Sequence, residues 1–200
     1  MLTAFQNFLY NCAISFDLPI LDWIQANLQS GFMDKFMPFI TVFGDAGIFW
    51  MICAALLLIF PKTRKTGLGM AFAMVIGLVV CNMTLKPLVA RIRPYDLQAE
   101  LGVAIKLLCE AQHDFSFPSG HTIASFEAAV VLLKNSKKMG IPAMILAVLI
   151  SFSRLYLYVH YPTDVLTSIV LGTIFALIGD AIAAKVAPKL SFGKKGKYQA

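Results

Sequence analysis

The stretch TGLGMAFAMVIGLVVCNMTL, residues 66–85, runs without a charged side chain between Lys65 and Lys86. About 20 mainly apolar residues are what an α-helix needs to cross a hydrocarbon core of roughly 30 Å. In that medium the backbone polar groups must bond to one another, and a helix does this within a single segment. Uncharged or nearly uncharged runs recur at 38–60, 117–133, 141–158 and 164–184. The five runs predict an all-α, polytopic transmembrane helical bundle. Composition agrees: of 200 residues, 58% are hydrophobic and only 14% charged, a balance poorly suited to a water-soluble fold.

Residues 1–30 differ in texture. Phe5, Phe8, Leu9, Leu18, Ile20, Leu21, Trp23, Ile24 and Leu28 alternate with Gln6, Asn7, Asn11, Asp17, Asp22, Gln25 and Asn27. This is the pattern of one or two amphipathic helices lying in the membrane interface. A sixth, polar-tolerant crossing is the alternative, so the expectation is five to six spans. A removable signal peptide does not fit, because no basic region precedes the apolar residues. The chain is expected to form a single integral membrane domain over 1–200, with an interfacial segment at 1–35, a helical bundle at 36–186 and a basic tail at 187–200.

Cytoplasmic loops collect Lys and Arg close to span ends. Lys62, Arg64 and Lys65 follow the first span, Lys134, Lys137 and Lys138 the third, and Lys185, Lys189, Lys194, Lys195 and Lys197 the fifth. These residues predict a cytoplasmic C-terminus in a cell inner or plasma membrane, and the net charge of +6 reflects topology, not nucleic acid binding. The other cations, Lys35, Lys86, Arg91, Arg93, Lys106 and Arg154, fall on the opposite, extracytoplasmic side.

Several of those outer cations sit at span ends, where topology disfavours them. Lys86 and Arg93 are seven positions apart, close to two helical turns, so a continuous helix ended by Pro94 would carry both on one face and let them share an anion. Cations snorkelling at a span end fit this segment equally well. In Phe117-Pro-Ser-Gly-His-Thr122, the Pro, Ser and Gly signal a helix N-terminus, where free N–H groups and the helix dipole attract anions. Gly120 would let the backbone approach a phosphate, and His121 would stand in the first turn; Ser119 also fits a plain N-cap, and a lone His an ordinary hydrogen-bonded one. In Ser153-Arg154-Leu-Tyr-Leu-Tyr-Val-His160-Tyr-Pro-Thr-Asp164, a helix opening at Pro162 would carry Asp164 in its first turn. There the carboxylate could take a proton from one nitrogen of His160 and leave the other nucleophilic, although an Asp near a helix start beside an unrelated His reads the same way.

All three segments map to the outer ends of spans. Lys86-(six residues)-Arg93-Pro94, Pro118-Ser119-Gly120-His121 and Ser153-Arg154-(five residues)-His160-(three residues)-Asp164 together resemble the three motifs of the type 2 phosphatidic acid phosphatase family. The resemblance covers about 86–164, and residues 1–35 carry no motif. It implies metal-independent hydrolysis without a cofactor, through a phosphohistidine intermediate. His160 would be the nucleophile, Asp164 its orienting group, and His121 the acid that protonates the departing oxygen and then helps activate water. Lys86, Arg93, Ser119, Gly120 and Arg154 would hold the phosphoryl oxygens. The implied partners are the bilayer and a phosphorylated lipid, with undecaprenyl diphosphate ahead of phosphatidylglycerophosphate and phosphatidate. A phosphotransferase acting on a lipid acceptor and a non-catalytic lipid-binding scaffold are the rivals from other classes.

Other residues carry weaker signals. The outer carboxylates Asp96, Glu100, Glu110 and Asp114 lack a recognisable metal-ligand spacing. His113 and Asp114 read either as contacting substrate or, more simply, as solvated, and Asp45 either as a helix cap or as pointing into the site. Glu127, about two turns into the third span, is expected to face the bundle interior for a structural reason. Cys12, Cys53, Cys81 and Cys109 show no disulfide spacing. Oligomeric state is not encoded in any of these features.

Overall fold

The computed structural model describes residues 4–190, and over them the regular structure is helical throughout. Lys194, Lys195 and Lys197 of the basic tail lie outside the described residues. Helices α1 (Ala4–Cys12) and α2 (Leu18–Leu28) are joined by a π-helical turn, Ala13–Asp17. Helix α3 (Met33–Thr41) leads through a kinked 3-10 segment into α4 (Ile48–Ile59), and α5 (Arg64–Gly77) leads through a π-helical stretch, Leu78–Leu85, into the short α6 (Lys86–Val89). Helix α7 (Pro94–Glu100) and a long loop precede α8 (Gly120–Asn135), α9 (Lys137–Tyr156) and α10 (Pro162–Val186).

Four helical segments, residues 33–59, 64–100, 137–156 and 162–189, are long and apolar enough to cross a membrane. The expected third span, at 117–133, is α8, which is shorter at 16 residues and forms the centre of the bundle. It packs against α5, α9 and α10, and Ile123, Phe126, Ala128, Ala129, Val131 and Leu132 on it are buried. The outer helices turn Ile52, Leu56, Val75, Val79, Ile145, Val148, Val170 and Ile174 outward, as lipid-facing surfaces do.

Close approach between α5 and α10 depends on small residues. A Cβ on Gly179 would come within 2.6 Å of Ala73 N and Gly69 O, so the two backbones are nearly in contact. Water does not drive helices together inside a bilayer, and interfaces of Gly and Ala gain instead from dense packing and short-range dispersion. At the end of the bundle away from the motifs, Lys65 and Lys134 converge on the buried Asp180 of α10, at 3.3 and 2.9 Å. The basic flanks of two separate spans therefore meet on α10 at one end of the bundle.

The N-terminal helices are not among the segments suited to spanning. They lie across the motif-bearing end, where Leu18 and Leu21 pack on Leu97, Tyr158 and Tyr161, and Ile24 packs on Tyr156, Leu157 and Val159. Phe5, Phe8, Phe16 and Trp23 remain exposed on the opposite face. One polar residue departs from the amphipathic expectation: Asp17 is fully buried.

Candidate active site

The Lys86–Arg93 segment does not form the single helical face that its spacing suggests. Helix α6 stops at Val89, Ala90 takes a left-handed conformation (φ 49°), and the chain runs extended to Arg93, which caps α7. Pro94 thus opens a helix instead of ending one, in keeping with its missing N–H and fixed φ. Lys86 and Arg93 converge all the same, because the Asp114 carboxylate bridges them, with Oδ2 2.5 Å from Lys86 Nζ and Oδ1 2.5 Å from Arg93 Nη2. Asp114 is therefore ion-paired and on the cavity wall while staying half exposed, more than the plain solvated residue of the simpler reading. Burial pushes its carboxyl up, but the hydrogen bonds and charges of Lys86 and Arg93 outweigh this and hold it at about 2.

Ser119 caps α8 by conformation, and its backbone N–H donates to Ser168 Oγ at 2.8 Å, tying the start of α8 to α10. Its hydroxyl accepts from Thr122 Oγ1 at 3.1 Å. His121 stands in the first turn of α8, and its Nε2 lies 2.7 Å from Asp45 Oδ1. Asp45 reaches it because the chain breaks its helix there: Asp45 has ψ 119°, and Ala46 and Gly47 follow with φ 48° and 67°. Gly44 is needed for a different reason, since a Cβ on it would fall 2.7 Å from the His121 ring. Of the two sequence readings of Asp45, the helix cap is not made; its carboxylate turns to His121 instead.

Pro162 opens α10 as expected, and the Asp164 side chain accepts from Tyr161 N at 3.0 Å to complete a capping box. His160 Nδ1 is 3.5 Å from Asp164 Oδ2 and has no hydrogen-bond partner among the described residues. Its Nε2 is 3.4 Å from Arg93 Nη1, which also donates to Val159 O at 2.7 Å. His160 is 2% exposed. Burial, and then the positive charges of Arg93 and Arg154, push its imidazole well below the ordinary value, which favours the neutral base. Arg154, also 2% exposed, donates from Nη1 to Thr41 Oγ1 at 2.5 Å and leaves Nε and Nη2 without partners among the described residues. A buried guanidinium with two free donors is costly unless an anion completes it.

Part of this set lines one cavity of about 640 Å³. Lys86, Arg93, His121, Arg154 and His160 surround one part; Met51, Ala54, Leu58 and Val75 line an apolar extension between α4 and α5. Gly120 is at the wall, with Asn82 the nearest side chain. Ser119 and Asp164 are fully buried and stand behind the cavity surface. Glu127 also lines the cavity, fully buried, with Oε1 unpartnered among the described residues and its carboxyl packed on Gly77 so closely that a Cβ there would overlap it. The tyrosines at and just beyond the end of α9 do not partner it: Tyr156 donates to Asp34 and Tyr158 to Asp22.

The residues behind Asp164 were not found from the sequence. Arg91 donates to Asp164 Oδ1 and to Asp17 Oδ2, the latter at 2.7 Å, and Ser116 donates to Asp164 Oδ2. A hint existed for Arg91, a cation at a disfavoured span end. None existed for Asp17, which looks like any polar residue of an amphipathic helix.

Two histidines, three cations and two acidic side chains around a cavity that continues into a membrane bundle define a class: a membrane-embedded enzyme acting on an anionic group. Residues 66–185 match the PAP2 superfamily. An undecaprenyl-diphosphatase of Sulfolobus acidocaldarius is 35% identical over 161 residues, covering 80% of this chain and 75% of the relative. The crystal structure of Aquifex aeolicus LpxE superposes with a TM-score of 0.67 at 26% identity, covering 82% of this chain and 94% of that one. A transmembrane PAP2-type phosphatidylglycerolphosphate phosphatase of Bacillus subtilis superposes with a TM-score of 0.65 at 26% identity, covering 91% and 94%. The chain belongs to the PAP2 superfamily and is a multi-pass membrane lipid phosphatase.

Proposed function

We propose that this enzyme removes the terminal phosphate of undecaprenyl diphosphate at the extracytoplasmic membrane face, through a phosphohistidine formed on His160. The observation that carries the reading is the neutral His160 imidazole, 3.4 Å from Arg93 and lining the same cavity as the unpartnered donors of Arg154. A phosphoryl group among Lys86, Arg93 and Arg154 would have its equatorial oxygens held by fixed cations, with the start of α8 adding backbone donors. Positioning and charge stabilisation supply most of the catalysis in phosphoryl transfer.

In the first step Nε2 of His160 attacks phosphorus, the bond from phosphorus to the bridging oxygen breaks, and His121 gives that oxygen a proton. Asp164 stabilises the charge that develops on the His160 ring. Water, deprotonated by His121, then attacks the phosphohistidine and releases inorganic phosphate. The apolar extension between α4 and α5 suits a hydrocarbon tail. The basic flanks at the far end support an extracytoplasmic site. The Sulfolobus relative, an undecaprenyl-diphosphatase, supports the polyprenyl substrate. The Bacillus structure, that of a phosphatidylglycerolphosphate phosphatase, supports phosphatidylglycerophosphate as the second reading.

The test is phosphate release in detergent from polyprenyl diphosphate, phosphatidylglycerophosphate and phosphatidate, with and without a chelator. Fastest release from the polyprenyl diphosphate, insensitive to chelator and abolished in His160→Ala, is expected. Label passing from substrate to another lipid would replace hydrolysis by transfer, and equal rates from either leaflet of sealed, oriented vesicles would overturn the assigned face.

A further inference from the structure

We propose that Asp17 and Arg91 are positioning residues for the nucleophile, setting the orientation and charge of Asp164 against His160. The N-terminal helices are then part of the catalytic machinery and not only a membrane-surface attachment. The proposal rests on the assignment of His160 as nucleophile.

Asp164 is held from three directions. Arg91 occupies Oδ1, while Ser116 Oγ and Tyr161 N donate to Oδ2, the oxygen nearest His160 Nδ1. Arg91 is itself fixed. Its guanidinium lies 3.7 Å from the centroid of the Tyr161 ring, Nη1 donates to Thr163 Oγ1 at 2.8 Å, and Nη2 donates to Asp17 Oδ2 at 2.7 Å and to Leu9 O at 3.3 Å. Asp17 then accepts from Thr163 N at 2.9 Å and from Thr163 Oγ1 at 2.7 Å, so it caps the same helix that carries Asp164.

Neither Asp17 nor Arg91 lines the cavity that holds His160, so neither acts by touching substrate. Asp17 also precedes the residues matched by the superfamily. Arg91 alone would neutralise Asp164. With Asp17 the buried cluster of Asp17, Arg91 and Asp164 carries one net negative charge, which faces a ring that becomes cationic when Nε2 bonds to phosphorus. Stability is a weak explanation for such an arrangement, since buried ion pairs are often matched by apolar replacements of similar volume.

The two charges act with opposite sign. His160 is faced by Asp164 on α10, Arg93 before α7, Lys86 on α6, Asp114 in the loop that follows α7, Arg154 on α9, and His121 with its partner Asp45. Against that fixed set, removing the negative charge of Asp17 disfavours the imidazolium, and removing the positive charge of Arg91 favours it.

The experiment is kcat and KM for phosphate release by the purified full chain across pH, with acid-quenched trapping of radiolabelled enzyme from polyprenyl diphosphate. Asp17→Asn should lower kcat about tenfold to a hundredfold, the range known for removing the outer partner of a metal-bound His, with KM little changed. Its acidic limb in kcat/KM should move to lower pH, by about one unit for one buried charge, and Arg91→Met should move the limb to higher pH. Asp17→Asn/Arg91→Met should return the limb towards its original position. Loss of packing alone would reduce yield and thermal stability without opposite displacements of the limb. Labelled wild-type enzyme together with unmoved limbs in both variants overturns this proposal and leaves the nucleophile assignment standing. Absence of phosphohistidine from the wild type overturns both. Should Asp17→Asn fail to fold, Arg91→Lys keeps the charge and loses the fork: a tenfold lower kcat at constant KM supports the proposal, and a wild-type kcat overturns it.

Discussion

Asp45 and His121, 76 residues apart, meet with Oδ1 and Nε2 separated by 2.7 Å. The carboxylate reaches the ring only because the first spanning segment breaks at Asp45-Ala46-Gly47. If His121 is the proton donor proposed above, this carboxylate is what fixes its ring and tautomer.

Asp45→Asn should therefore slow the step in which the leaving group needs a proton. We expect kcat for lipid diphosphate to fall about tenfold to a hundredfold, within the usual contribution of a positioned proton donor. Hydrolysis of p-nitrophenyl phosphate, whose leaving group departs without protonation, should fall much less. Equal losses on both substrates would show that Asp45 does not act through His121.

The neutral state of His160 predicts the pH dependence of the free enzyme. Burial and the surrounding cations disfavour its imidazolium, so its folded-state value lies well below the ordinary 6.5. The acidic limb of kcat/KM should accordingly lie well under pH 6.5, and activity should persist where an exposed histidine would already be protonated. The linked stability has the same sign: the unfolded chain takes up a proton near 6.5 that the folded chain refuses, so stability falls as pH drops below 6.5. A limb at the ordinary histidine value in a pH–rate profile would contradict the burial argument.

Asp114 bonds to both Lys86 and Arg93, at 2.5 Å each. A phosphate that binds these cations must share them with a carboxylate that stays ionised down to about pH 2. Asp114→Asn should tighten competitive inhibition by orthovanadate, by about tenfold for one removed competing charge. Unchanged or weaker vanadate inhibition would assign Asp114 to organising the cations and not to competing for them.

Gly179→Ala tests the packing of α5 on α10. The added methyl would meet Ala73 N and Gly69 O at 2.6 Å, and backbone cannot rotate away as a side chain can. Overpacking of this kind costs about 1–3 kcal/mol. The thermal midpoint in detergent should fall accordingly, and an unchanged midpoint would show that the helices separate freely.

Much of this protein was readable from residue order alone. Runs such as 66–85 could satisfy their backbones only as helices in lipid, and the basic flanks of three spans had to share a side. The pieces His160 to Asp164 and Ser119 to His121 were legible because each is local: a helix start orients residues within one turn of it. Lys86 and Arg93 were found for an incomplete reason. Their spacing fits a helical face, yet the helix stops at Val89, and what unites the two side chains is Asp114 from a loop more than twenty residues away.

What only the tertiary structure decided lies in contacts of long sequence separation. Asp17 reads as one more polar residue on an amphipathic helix, and its burial against Arg91 and Thr163 depends on where α1 and α2 cross the end of the bundle. Helical periodicity records which face of a segment avoids water or lipid; it holds no record of the partner that a buried charge on that face will meet. Residue order therefore determined the helices, their membrane environment and the local parts of the site, while the docking of distant helix ends determined which charges stand behind His160.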